Sequence, residues 1–227
     1  MDGTTLLSLL VMVVAGAFLV RRWRAAQARA SLVSELAAAK GWSFNANEPG
    51  LVGKWPGEPF GRGEDQSARN VLRGSRGGHK FIAFDYSYQP FSVRSGQPPR
   101  RFGVIAMQLP GALPWLEVEH ENLIVNPVEA RHDIRFESEL FNRTFRITST
   151  DERYARAVIH PRLMELLLDR GEIGWRITDE HLLGWYAGSH TPAGLERRLT
   201  LLTQIADLIP PFVWRDYSNT DPRGSAD

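Results

Sequence analysis

Between Thr4 and Val20 the chain reads TTLLSLLVMVVAGAFLV, a run with no charged side chain, and no other stretch restricts the architecture as much. As a helix rising roughly 1.5 Å per residue it would be about 25 Å long, just enough to cross a hydrocarbon core. Leu6, Leu10, Val14, Phe18 and Val20 would then face lipid, with Arg21, Arg22 and Arg24 snorkelling and Trp23 at the headgroup level. A cleaved secretory signal is the rival reading and fits less well. Asp2 is the lone charged side chain ahead of the apolar run, and no convincing small-x-small cleavage site follows it. The sequence therefore predicts a single-pass anchor with its basic flank over residues 1–24.

Charge sets the orientation. Arg21, Arg22, Arg24 and Arg29 follow the span, so the positive-inside rule places the N-terminus outside the plasma membrane and the body in the cytoplasm. Secretion after cleavage is the alternative. Residues 1–40 hold five basic and two acidic side chains, while the whole chain has net charge +1, which leaves −2 for the remainder. The basic flank is expected to attract anionic lipid by about 1 kcal/mol per residue, whereas a body of net −2 offers no basic face for nucleic acid. From Ala25 to Gly41 strong helix formers carry Leu32, Leu36 and Ala39 at helical spacing, predicting a juxtamembrane helix over 25–41 that packs on its own domain.

Residues 42–214 read as one α+β domain with a mostly antiparallel sheet and helices on one face. The pattern predicts hairpins at 70–88 and 172–187, strands near 101–109, 115–119 and 141–148, and helices near 150–168 and 192–209. Ile82, Phe84, Tyr86 and Tyr88 alternate with Phe81 and Ala83, so the second strand of the first hairpin should be central and covered on both sides. Pro110 and Pro114 bracket an expected turn, and Glu121 to Val125 reads as a further short strand. Ser149 and Glu152 form a capping box ahead of the first helix, which Pro161 divides. Thr191 and Pro192 open the last, with Leu195, Leu199, Leu202, Ile205 and Ala206 as its apolar stripe. Ser43 to Asn70 is too dense in Gly and Pro for a long element, and its aromatic residues, among them Trp55 and Phe60, should pin it over the core as an irregular layer. Gln89 to Arg100 reads as an exposed loop, and residues 215–227 as a disordered tail.

Chemistry is sparse. The chain has no cysteine, which excludes disulfides, thiolate ligands and cysteine nucleophiles. Glu117, Glu119, His120, Glu121, His132 and Asp133 are the densest set of potential ligands, but alternation separates His120 from the two glutamates and no H-x-x-x-H or H-E-x-x-H spacing occurs. A solvated acidic edge is the reading; neither a metal nor a cofactor is expected. Arg143, between Phe141 and Phe145 on the face expected to point inward, requires a carboxylate, for which Glu137 and Glu139 are the candidates. Arg143, Glu137, His132 and Asp133 are accordingly the candidate binding residues. No G-x-S-x-G, P-loop, zincin or kinase signature is present.

Six segments carry a resemblance: GEPFGRG (57–63), FDYSY (84–88), LPGALPWL (109–116), FESELFNRTF (136–145), HPRLMELLL (160–168) and IPPFVW (209–214). Together they resemble a family of single-pass, membrane-anchored bacterial proteins of unassigned activity, and the likeness runs from about Gly41 to Trp214. The predominance of arginine over Lys40, Lys54 and Lys80 suits a high-GC, actinobacterial-type source. The resemblance implies a membrane protein and transfers no catalytic residue. A non-catalytic interaction or scaffolding module at the plasma membrane, with a protein partner still to be identified, is the expected function. The alternatives are a lipid- or small-molecule-binding module and a hydrolase-like enzyme in which His132, Asp133, His160 and Glu137 converge.

Overall fold

The computed structural model describes residues 3–91, 98–120 and 134–218, leaving aside the side chains of residues 3–11, 15, 19, 22 and 23 within the first helix. That helix, α1 (Gly3–Lys40), joins the two helices expected from the sequence into one. Among the described residues no helix is long and apolar enough to cross a membrane. The leader is thus met as a helix. The last turns of α1 pack on the body as expected: Val33 and Ala37 are buried, and Lys40 Nζ lies 3.0 Å from Glu196.

The body is one antiparallel sheet of six strands: β1 (Ser43–Asn47), β2 (Glu64–Arg76), β3 (His79–Gln89), β4 (Arg100–His120), β5 (Phe145–Ser149) and β6 (Gly174–Ala187). The order is β1-β2-β3-β4-β5, with β6 also paired to β4. Strand β3 is central, as its two apolar faces require. The helices α2 (Glu139–Thr144), α3 (Glu152–Val158), α4 (Pro161–Arg170), α5 (Pro192–Leu208) and α6 (Pro211–Tyr217) complete the described chain. Buried residues of α2 to α6 and the end of α1 join Ile105, Met107, Leu116, Val118, Trp175 and Ile177 in one large core on one face of the sheet. Residues 49–63 cover the other face, and Trp55 and Phe60 pin them to Phe84 and Tyr86, as the ring-rich composition leads one to expect.

Several expectations are corrected. The segment expected to be wholly irregular contains β1, an edge strand whose exposed Ser43, Asn45 and Asn47 give no apolar alternation and which is held by its backbone pairing to β2. Pro110 and Pro114 do not end a strand. The pairing of β4 with β6 slips between Gln108↔His181 and Leu113↔Asp179, so Pro110 stands where the ladder is already broken and asks for no amide, and β4 continues as one bent strand. The hairpin expected over 172–187 is likewise one strand, β6, from Gly174 to Ala187. The same slip turns Trp175 and Ile177 to the helix side while Leu183 and Trp185 join the opposite core. The strand expected over 141–148 begins at Phe145; before it, Ser138 caps α2 by accepting from Phe141 N at 3.3 Å. A spacing of four puts Phe141 and Phe145 on one side in either reading, which is why period two misled. Asp151, not Ser149, caps α3, accepting from Arg153 N and Tyr154 N, while the Ser149 hydroxyl donates to Trp115 O at 2.7 Å. Residues 215–217 belong to α6 rather than to a disordered tail, since Pro210 and Pro211 start a helix there that buries Val213. The readings for residues 92–97, 121–133 and 219–227 lie outside the described residues.

Candidate functional site

A guanidinium closed off inside the layer is the most unusual chemistry in the described chain. Arg176 of β6 is fully buried, on the sheet face that carries residues 49–63. Its neighbours on β4 follow from register: Glu117 is its cross-strand partner, and Trp115 and Glu119 share that strand face by alternation. Arg176 Nη1 donates to Glu117 Oε1 at 3.2 Å and Nη2 donates to the Glu58 carbonyl. The rings of Trp115 and Trp185 flank it, each centroid 4.9 Å from Cζ. Gly57 (φ +77°) makes the approach feasible, since a Cβ there would collide with the guanidinium and with the Trp115 ring. The cluster therefore clamps the 57–60 turn onto the sheet. Burial lowers the Arg176 pKa to about 10, against the pull of Glu117 and Glu119, so it stays charged at neutral pH.

Glu119 is the strained member. Burial first, then the charges of Glu117 and Glu58, raise its pKa from 4.5 to about 7, while Arg146 and Arg176 pull the other way. The linkage sign follows from that rise. Between pH 4.5 and 7 the folded chain holds a proton that the unfolded chain has released, so the stabilisation present below 4.5 is lost as pH climbs through 7. Discounted for partial exposure, the loss is on the order of 1 kcal/mol. Glu119→Gln is expected to flatten the fall in urea midpoint between pH 5 and pH 8; an unchanged slope would reassign the titration.

A second network closes the body around His190, also fully enclosed. Nε2 lies 3.2 Å from Phe84 O and 3.1 Å from Val104 O, two acceptors, so it carries the proton and Nδ1 accepts from the Tyr186 hydroxyl at 2.6 Å. The Tyr186 ring lies over Gly103, its cross-strand partner, where any Cβ would meet it. Asp85 accepts from His190 N at 2.8 Å and from Asn70 Nδ2 at 2.9 Å. Burial lowers the His190 pKa.

The residues singled out from the sequence are dispersed. Arg143 lies exposed on α2, 3.2 Å from Glu139; the pairing with Glu139 is met, the burial is not, because α2 turns position 143 away from the core. Glu137 is exposed and 3.6 Å from Arg156. His160 Nε2 bonds Leu208 O at 3.0 Å and joins α4 to the end of α5. His132, Asp133 and Glu121 lie outside the described residues. Glu117 and Glu119 do share a strand face, but it is not a solvated edge, since Glu117 is buried against Arg176, and His120 packs edge-on to Phe145. Among the described residues no group of three or more His, Asp or Glu could hold a metal ion. Arg176 and His190 were missed. An arginine inside the apolar run GWRIT is the available signal for the first; nothing marks His190.

No protein-family model matches the chain, and no curated protein matches its sequence. Among solved structures, the crystal structure of the mycobacterial trehalose monomycolate transport factor A, TtfA, is similar at 16% identity with a TM-score of 0.60, covering 80% of this chain and 96% of that one. At that identity the likeness establishes a shared fold.

Proposed function

We propose that this chain is a membrane-tethered, non-catalytic module that works through protein contacts at the plasma membrane. The observation that carries the reading is the contrast along α1. Met12, Val13, Val14, Phe18 and Val20 are 50–65% exposed, whereas Val33 and Ala37 are buried against the body. A helix that displays an uncharged apolar half while its other half is docked needs an apolar environment for the first half, and a bilayer supplies one. Residues 1–24 are the anchor and basic flank, residues 25–41 the connection and residues 42–214 the body. Arg21, Arg22 and Arg24 meet anionic lipid, the N-terminus lies outside and the body on the cytoplasmic side. The polar clusters support the non-catalytic part: both terminal nitrogens of Arg176 and both ring nitrogens of His190 are engaged in holding layers together. A lipid-handling role is the second reading, favoured by the fold shared with a trehalose monomycolate transport factor.

The test is fractionation of the full chain, carrying a C-terminal tag, from a bacterial host. The tag should stay in the pellet through an alkaline carbonate wash and resist protease added to intact spheroplasts, and deletion of residues 2–20 should move the protein to the soluble fraction. A mature chain beginning downstream of Val20, or a tag removed from intact spheroplasts, would sink the topology. A turnover abolished by Glu119→Gln in folded protein would replace the non-catalytic reading with an enzymatic one.

A further inference from the structure

The groove between the end of α4 and α5 gathers two side chains, Arg198 and Gln204, that each enclose a polar atom without a hydrogen-bond partner. Arg198 lays its guanidinium on the Tyr186 ring, Cζ 3.6 Å from the centroid, and among the described residues it has no hydrogen bond and no ion pair. Its Nε is closed off from solvent without an acceptor. Gln204, further along α5, has its Oε1 closed off in the same way. Both line a groove of about 370 Å³ whose apolar part is Ile173 and Leu201. The carboxylates of this groove are taken: Asp169 lies 2.9 Å from Arg170, and Glu172 lies 3.5 Å from Arg197. Asp85, behind Tyr186, is engaged by His190 N and Asn70. Arg198 is therefore the uncompensated cation of the groove.

A half-buried guanidinium without an acceptor is costly, and a planar fork held flat on an aromatic ring with its Nε enclosed leaves the two terminal nitrogens for bidentate contact. The volume sits at the small end of the range for ligand pockets, about 300–1,000 Å³, which suits a compact group rather than an acyl chain. We propose that this groove binds a compact oxyanion, a phosphate or carboxylate borne by a small molecule or a lipid headgroup, with Arg198 as its principal partner. The site lies on the body and is independent of how α1 meets the membrane.

The test titrates the full chain, held in phosphatidylcholine nanodiscs, with inorganic phosphate at constant ionic strength, read by calorimetry against a chloride control. Saturable binding is expected, weakened about tenfold or more in Arg198→Met, which keeps an apolar contact with Tyr186 and loses the charge. Arg197→Gln should weaken it less, since Arg197 is shared with Glu172. Nanodiscs containing phosphatidylglycerol distinguish the sources: competition with phosphate identifies a headgroup, an unchanged isotherm a free anion, and either supports the site. Absence of saturation by phosphate, or an unchanged isotherm in Arg198→Met, overturns it. Should that variant fail to fold by circular dichroism, Arg198→Lys decides, because it keeps the charge and loses the fork: weaker binding supports the site and an unchanged isotherm overturns it.

Discussion

Arg176→Met is expected to destabilise the folded chain by about 3–5 kcal/mol, the range seen when one member of a buried ion pair is removed. The guanidinium is fully enclosed and Glu117 nearly so, so the substitution takes away the positive charge beside a buried carboxylate and removes the donor that holds the Glu58 carbonyl. Met fills much of the volume between Trp115 and Trp185, which assigns the loss to charge rather than to a cavity. The double variant Arg176→Met/Glu117→Met should regain most of it, because an apolar pair of similar volume carries no desolvation penalty. Urea midpoints at constant slope measure both. A single variant as stable as the parent would show that the pair does not hold the 57–60 turn.

His190→Leu is expected to cost about 2–4 kcal/mol, since it leaves the Tyr186 hydroxyl without its acceptor and withdraws a donor from Phe84 O and Val104 O inside the sheet. It should also change the acid limb of the stability profile. Burial lowers the folded pKa of His190, so its contribution is complete above its ordinary value of 6.5 and is lost as pH falls from there. The sign is opposite to that of Glu119, whose contribution is lost as pH rises towards 7. The two windows overlap between pH 4.5 and 6.5, where the opposing slopes partly cancel. There His190→Leu should steepen the fall in stability with rising pH, and Glu119→Gln should uncover a rise. A slope unchanged by His190→Leu would move the titration to another group.

The elements that could be read from the sequence were those whose side chains repeat along one face. The apolar alternation of β3, the Leu195 to Ala206 stripe of α5 and the proline that divides α3 from α4 are all in place. Each is a local pattern imposed by the period of its backbone. Errors arose where one spacing served two structures. Phe141 and Phe145 satisfy a strand and a helix alike, and the burial inferred for Arg143 failed with the strand. They arose too where a partner rescued a residue that local rules condemn, as the slipped ladder does for Pro110.

By itself the sequence determined an uncharged leader, an α+β body rich in antiparallel pairing, and an irregular aromatic layer, because those depend on composition and on neighbours a few positions apart. Only the tertiary structure decided which polar groups are enclosed. Arg176 meets Glu117 across 59 positions and Glu58 across 118, and His190 reaches Phe84 across 106. Burial of a charge is a property of the strands packed on both sides of it, and the slip between β4 and β6, set by long-range pairing, decides which face Arg176 presents.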